Sequence, residues 1–317
     1  MWIICVTYPH LLFIFTAMIK RTLYFSNPVY LSLKNAQLVV AYPEETEKPK
    51  QQIPIEDIGL VVLDHQQITF TQSIASALAD QNAAMLWCND KHMPNAMLVN
   101  INGSSTFTEA LRIQLEASEP LKKQLWKQTI QQKIINQAKV LDLMGHDGEP
   151  LRKMSEKVGS GDPENMEGRA AARYWDLLLR KYNVTRGQDE PMPNPFFNYA
   201  YAILRAITAR SLVASGFLPA MGIHHTNKYN SFCLADDIME PYRPIADWIV
   251  LQWLNEIPSF PERLRTADKA TLLKLPVTDV WINEKQSPLM IGMQRTTAGL
   301  MSCFEGTLRK VPYPEIR

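Results

Sequence analysis

The apolar pattern of this 317-residue chain changes period once along its length. Between residues 22 and 100 it consists of short β-rich runs, at 22–25, 29–33, 37–42, 58–63, 84–88 and 96–101. Asn27-Pro28 and Lys34-Asn35 separate the first of these as hairpin punctuation would. The run at 58–63, IGLVVL, has no polar alternation and predicts a strand buried on both faces, while 71–80 fits one short helix. After the polar stretch Asn102, Gly103, Ser104 and Ser105 the strands stop and helical spacing takes over. The pattern predicts an α+β chain. A small N-terminal β-sandwich-like domain over 18–101 is followed by a linker at 102–107 and a larger all-α domain over 108–317. With 46% apolar residues each part has material for its own core.

Charge and cysteine usage narrow the class. With 33 basic against 32 acidic side chains the net charge is +1, so contact with nucleic acid must rest on local basic patches. Cys5, Cys88, Cys233 and Cys303 form no Cys-x-x-Cys pair, which argues against a zinc ribbon or a disulfide framework and for a reducing cytoplasm. The prefix 1–17 is apolar but shorter than the ~20 residues of a membrane span. Pro9 and His10 interrupt it, and no Lys or Arg precedes it, so Met18 is expected to be the biological start and the prefix an upstream extension.

The densest chemistry lies between Gly222 and Asp247. Two adjacent histidines, His224 and His225, precede a turn-rich segment. An acidic cluster then heads a helix whose stripe is Ile238, Tyr242, Ile245, Ile249 and Trp253. Asp236, Asp237, Glu240, Arg243 and Asp247 share the opposite, polar face, and Pro241 and Pro244 should open its first turns, leaving the carboxylates accessible. Stacked carboxylates repel unless they face water or surround a cation. One reading is a solvated face beside a core histidine. The other is a divalent metal on His225, Glu240 and a further carboxylate, where oxygen-rich ligation with one imidazole suits manganese or magnesium better than structural zinc.

Upstream, Asp162 and Pro163 read as the cap and first position of a helix carrying Glu167 in its second turn, with Gly168, Ala170, Ala171 and Ala172 keeping its surroundings narrow. In the long helix before it, Leu121, Leu125, Ile130, Ile134, Ala138 and Leu141 mark an apolar face. Lys122, Lys123, Lys127, Lys133 and Lys139 fall mostly elsewhere, as a solvated face or a contact to DNA phosphates. A proline-broken loop leads to Asn194 and a helix ending at Gly216.

Gly222, His225, Asp237, Glu240, Pro241, Arg243 and Pro244 together resemble the signature of the CRISPR-associated adaptation integrases. Two further blocks resemble the same family: Asp162, Asn165, Glu167, Gly168, Ala171, Ala172 and Tyr174, and Asn194, Asn198, Tyr199 and Tyr201. The C-terminal tail from Leu275 is similar to the type II branch. The resemblance implies that Glu167, His225 and Glu240 are catalytic and hold Mg2+ or Mn2+, with Asp237 as helper, Arg243 anchoring a carboxylate and Asn194 ordering the loop beside the site. It implies a metal-dependent DNA endonuclease and integrase of antiviral defence, which joins 3′-hydroxyl ends of captured foreign DNA into the CRISPR repeat. Implied partners are double-stranded DNA, a second copy through the β domain, a dimer of the second adaptation protein (Cas-two) and the type II effector nuclease. Arg173, Arg186, Arg210, Lys228 and Arg295 are the candidate DNA contacts. Two other readings stand beside this one: a structure-selective nuclease of branched DNA, and a non-catalytic DNA scaffold.

Overall fold

The short apolar runs form strands because β-branched and aromatic residues pack on a pleated surface. In the computed structural model, which describes residues 20–44, 49–100 and 104–317, they build two sheets. The expectations for residues 1–17 and for positions 102 and 103 of the linker lie outside the described residues. The chain divides into two compact units, Met1–Gly103 and Ser104–Arg317.

In the first unit the elements are β1 (Arg21–Phe25), β2 (Tyr30–Lys34), β3 (Gln37–Ala41), β4 (Gln51–Pro54), β5 (Ile58–Leu63), β6 (Thr69–Phe70), α1 (Gln72–Asp80), β7 (Ala84–Cys88) and β8 (Pro94–Leu98). One sheet has the order β1-β5-β7-β8, parallel except for its last pair; the other runs β4-β3-β2-β6. Central β5 is buried at all six positions, as its unbroken apolar run requires. Leu23, Phe25, Leu31, Val40, Val61, Ile74 and Met85 meet in one core. Strands β4 and β6 are absent from the sequence reading, because in Gln51–Pro54 only Ile53 is buried and β6 has two residues.

The second unit comprises α2 (Phe107–Glu116), α3 (Glu119–Leu143), α4 (Glu149–Glu156), α5 (Met166–Leu179), α6 (Asn194–Ala214), α7 (Cys233–Met239), α8 (Arg243–Glu256), α9 (Thr266–Leu272), the hairpin β9 (Asp279–Ile282) and β10 (Lys285–Pro288), and α10 (Leu289–Phe304). Helix α6 is its axis, with α7, α8, α9 and α10 packed around it, and α3 lies against α4, α5 and α8. Gly216, at φ +85°, ends α6 where a Cβ would come within 2.7 Å of Ala110. The unit is helical apart from the hairpin, which pattern reading left out. Its turn, Asn283-Glu284, has φ of 49° and 64°, the geometry of a two-residue turn without the customary glycine.

Between α7 and α8 the chain makes one 3-10 turn, Glu240–Tyr242, because Pro241 and Pro244 cannot donate to Asp237 and Glu240. The break expected there is present; the accessibility is not. Asp236, Asp237, Glu240 and Asp247 are 6%, 0%, 2% and 1% exposed, since α3 and α6 close over this face and Tyr174 of α5 reaches Asp247. Among the described residues no helix is long and apolar enough to cross a membrane.

Candidate functional site

Four buried carboxylates between residues 236 and 247 each need a partner, and each has a different one. Asp236 takes both arms of Arg205, at 2.7 and 3.0 Å, and the amide of Asn230. Asp247 accepts the hydroxyls of Tyr174 and Tyr201 at 3.0 and 2.6 Å. Asp237 faces the loop just before its own helix, and Glu240 faces a lysine from α3.

Asp237 organises the histidine loop. It accepts the backbone N–H groups of Ile223, His224 and His225 and also the His225 ring, whose Nδ1 is 2.5 Å from Oδ1. With Nδ1 committed to a carboxylate, Nε2 is the nitrogen left to act as a ligand. Gly222 makes the close approach possible: a Cβ there would lie 2.4 Å from the His225 carbonyl oxygen and 2.7 Å from Asp237 Oδ2. Trp126 of α3 braces the pair, stacking on His224 with centroids 4.0 Å apart and meeting His225 edge-on at 5.6 Å. The hydrogen bond to Asp237 raises the His225 pKa, burial opposes that, and the charges of Asp237, Glu240 and Glu167 add to the rise.

Glu240 meets Glu167 through a lysine that the sequence reading placed on a solvated or DNA-facing surface. Lys133 of α3 is 6% exposed, with its ammonium 2.6 Å from Glu167 Oε1 and 2.5 Å from Glu240 Oε2. Arg243 pairs with the other Glu240 oxygen at 3.2 Å and stacks on Tyr201 at 4.9 Å. Burial pushes the Glu240 carboxyl up, but Arg243 and Lys133 outweigh it and hold the group below its usual range. Burial likewise disfavours the charged form of Lys133, and Glu240 and Glu167 more than restore it. One helical turn further along α3, Asn136 donates to the carbonyl oxygens of Pro241 and Pro314 at 2.7 and 2.9 Å, pinning the turn that carries Glu240.

Helix α5 starts three residues later than the Asp162 cap predicts. Asn165, in the left-handed region, is the N-cap and accepts from Gly168, while Asp162 accepts from the N–H groups of Met166 and Glu167. Glu167 therefore lies in the first turn. Its narrow surroundings are the rim of an open cavity of about 440 Å³ lined by Gly168, Ala171, Ala172, Trp175 and Arg186.

The remaining candidates separate by burial. Asn194 is fully buried and ties its loop together, donating to Thr185 and Pro191 and accepting from Arg186 and Gly187. Arg186 sits among Trp175, Phe197 and Tyr201, with its charge 5.5, 5.6 and 5.2 Å from the ring centroids. Arg210 is 2% exposed and burial pushes its pKa down to about 10, so it is a core residue and not a surface DNA contact. Arg173, Lys228 and Arg295 are exposed.

Chemically the donor set fits a divalent cation: two carboxylates sharing one buried positive charge, with an imidazole whose other nitrogen is committed. Glu240 Oε2 is ion-paired with Lys133 yet has no aligned hydrogen-bond donor, an oxygen still short of a full set of partners. Among the described residues no three His, Cys, Asp or Glu side chains stand in ready-made ligand geometry, and the Lys133 ammonium lies between the two glutamates.

Asp247 supplies a test of the surrounding frame. Burial pushes its carboxyl up to about 6, against the hydrogen bonds from Tyr201 and Tyr174 and the charges of Arg186 and Arg243. A carboxyl that binds its proton more tightly when folded lends stability below its unfolded pKa and loses it as pH rises through about 6. Asp247→Asn should remove this slope, so the variant gains on the parent by about 2 kcal/mol between pH 4 and pH 7. Urea unfolding across that range measures it, and a pH-independent difference would contradict the assignment.

A family model described as CRISPR associated protein Cas1 matches residues 23–284. The CRISPR-associated endonuclease Cas1 of Neisseria meningitidis serogroup C (strain 8013) is 38% identical over 233 residues, spanning 73% of this chain and 75% of that protein. Among solved structures, a casposase bound to an integration product superposes with a TM-score of 0.76 at 17% identity over 93% of both chains. A Cas6-RT-Cas1–Cas2 complex does so at 0.73 and 17% identity, covering 98% of this chain and 37% of that one. On the extent of the family match and the identity to the Neisseria protein, this chain is a member of the CRISPR-associated Cas1 family.

Proposed function

We propose that this chain is the metal-dependent DNA integrase of CRISPR adaptation, holding Mg2+ or Mn2+ on Glu167, His225 and Glu240 and also able to cut DNA. The observation that carries the reading is the meeting of two glutamates, distant in sequence, on one buried cation, with both carboxylates also acting electrostatically on the imidazole that Asp237 holds. The Neisseria relative is named an endonuclease, and the casposase of similar fold is bound to an integration product.

A cation bound there supplies Lewis-acid polarisation of a phosphodiester. The protein supplies the rest. Glu167 and Glu240 give anionic ligands, Asp237 holds the proton on Nδ1 of His225, and Arg243 keeps Glu240 in place. The open cavity lined by Gly168, Ala171 and Ala172 lies on the same helix as Glu167. In strand transfer a 3′-hydroxyl oxygen bonds to phosphorus of the repeat while the 3′-oxygen of the cut strand leaves. One phosphodiester replaces another, so no energy-supplying cofactor is needed.

Two joining events at a fixed spacing require two sites on one assembly. The reading therefore includes a homodimer formed through the β domain and a Cas2 dimer as partner, working on double-stranded DNA in the cytoplasm. The Cas1–Cas2 complex among the structures of similar fold supports it. Association with the type II effector nuclease, and DNA contacts by Arg173, Lys228 and Arg295, belong to the same proposal.

The test is incubation of the chain and its Cas2 partner with a labelled 3′-hydroxyl duplex and a repeat-bearing plasmid. Joined product that disappears with chelator is the expected result. Hydrolysed ends alone would indicate the structure-selective nuclease, and DNA binding without either product a scaffold.

A further inference from the structure

We infer that Lys133 is a built-in placeholder for the cation. Its ammonium keeps Glu167 and Glu240 side by side until a divalent ion displaces it, and so sets how tightly the site takes metal. The inference rests on the functional reading above.

Two adjacent carboxylates without a positive charge push each other apart. Lys133 prevents that, from a helix that carries no other candidate ligand, with Nζ within 2.6 Å of an oxygen of each. The two cations on Glu240 divide its oxygens. Arg243 lies 3.2 Å from Oε1 and is itself braced against Tyr201, whereas Lys133 lies 2.5 Å from Oε2. A planar guanidinium stacked on a ring is a fixed anchor, but an ammonium on four rotatable carbons can withdraw without moving the backbone. Displacing Lys133 would therefore free Oε2 and one oxygen of Glu167 while Arg243 keeps Glu240 where it is. The two freed oxygens lie on either side of the same nitrogen, the separation that one cation has already imposed.

Lys133→Met in the full chain tests this, since methionine keeps the length and removes the charge. In chelator the variant should melt below the wild type, because the two carboxylates lose their shared counter-ion. Calorimetric titration should show it binding Mn2+ about tenfold more tightly or better, the scale of removing one competing charge at contact distance. Its melting temperature should also rise more on adding Mn2+. Equal or weaker Mn2+ binding would overturn the placeholder. If the variant fails to fold, the wild-type chain labelled with 15N-lysine gives a second reading. The slowly exchanging signal of the shielded ammonium, assigned by its absence from Lys133→Arg, should change on adding Mg2+, and a signal that does not respond overturns the inference. Glu240→Gln separates the two levels. A wild type that binds no Mn2+, or a Glu240→Gln chain that binds it undiminished, sinks the functional reading and this inference together. A contrary result confined to Lys133 sinks this inference alone.

Discussion

Glu167→Gln is expected to stop strand transfer, by about a thousandfold or more, while leaving the melting temperature close to that of the wild type. The loss follows from removing one anionic ligand, where metal contributes several kcal/mol of transition-state charge stabilisation. The intact fold follows from what the side chain does for the structure. It is 24% exposed, the start of α5 is capped by Asp162 and Asn165, and its ion pair is with Lys133, which keeps Glu240. Glu240→Gln should show the same kinetic loss with a different stability. At 2% exposure Glu240 neutralises both Lys133 and Arg243, and removing one partner of buried pairs costs about 3–5 kcal/mol. Joining rates with the Cas2 partner present, measured beside thermal melts of both variants, make the comparison. Equal kinetic losses with unequal melts identify a shared chemical role on two different structural supports. Full metal-dependent joining by Glu167→Gln would mean that the ligand set is wrong.

How much of this was legible in the sequence depends on whether a residue's partner lies on its own element. The strand-to-helix change, buried β5 and the Pro-broken turn at Glu240 are local effects of period and of missing N–H donors, and pattern reading reaches them. The burial of Asp236, Asp237 and Asp247 is not local. It depends on Arg205, on His225 and on the two tyrosines arriving from other parts of the chain, and a helical wheel of 233–256 alone shows only a polar face. Lys133 is the clearest case. Read against Leu121, Leu125 and Ile134 it falls off the apolar face, but Trp126, Ile130, Lys133 and Gln137 follow one another at steps of four, three and four as one buried stripe. A lysine on a stripe begun by tryptophan, with a buried Asn136 after it, is a signal of a charge inside, and choosing the leucine face concealed it. Arg210 fails in the same sense: α6 is buried nearly all round, and of its two arginines Arg205 reaches Asp236 at the rim while Arg210 goes into the core.

Asp237→Asn is expected to weaken metal binding and joining by about a hundredfold to ten-thousandfold, the range between losing an outer support of a metal ligand and fixing a histidine in the wrong tautomer. The carboxylate accepts four hydrogen bonds from the 223–225 segment: three from backbone N–H groups and one from the ring. An amide has one oxygen and two N–H donors, so it cannot accept all four. If its oxygen serves the backbone, its NH2 meets Nδ1 of His225, which must then become an acceptor. The ring proton moves to Nε2 and blocks the atom that would take metal. If instead the oxygen serves the ring, buried backbone donors lose their partner at about 1–3 kcal/mol each, and the loop that Gly222 lets approach so closely comes apart. The two outcomes differ in measurement. The first gives a stable chain with poor Mn2+ affinity and a histidine whose 15N shifts report the Nε2-protonated form. The second gives a lowered melting temperature with His225 unrestrained. A variant that melts and binds Mn2+ like the wild type would show that Asp237 neither sets the tautomer nor holds the loop.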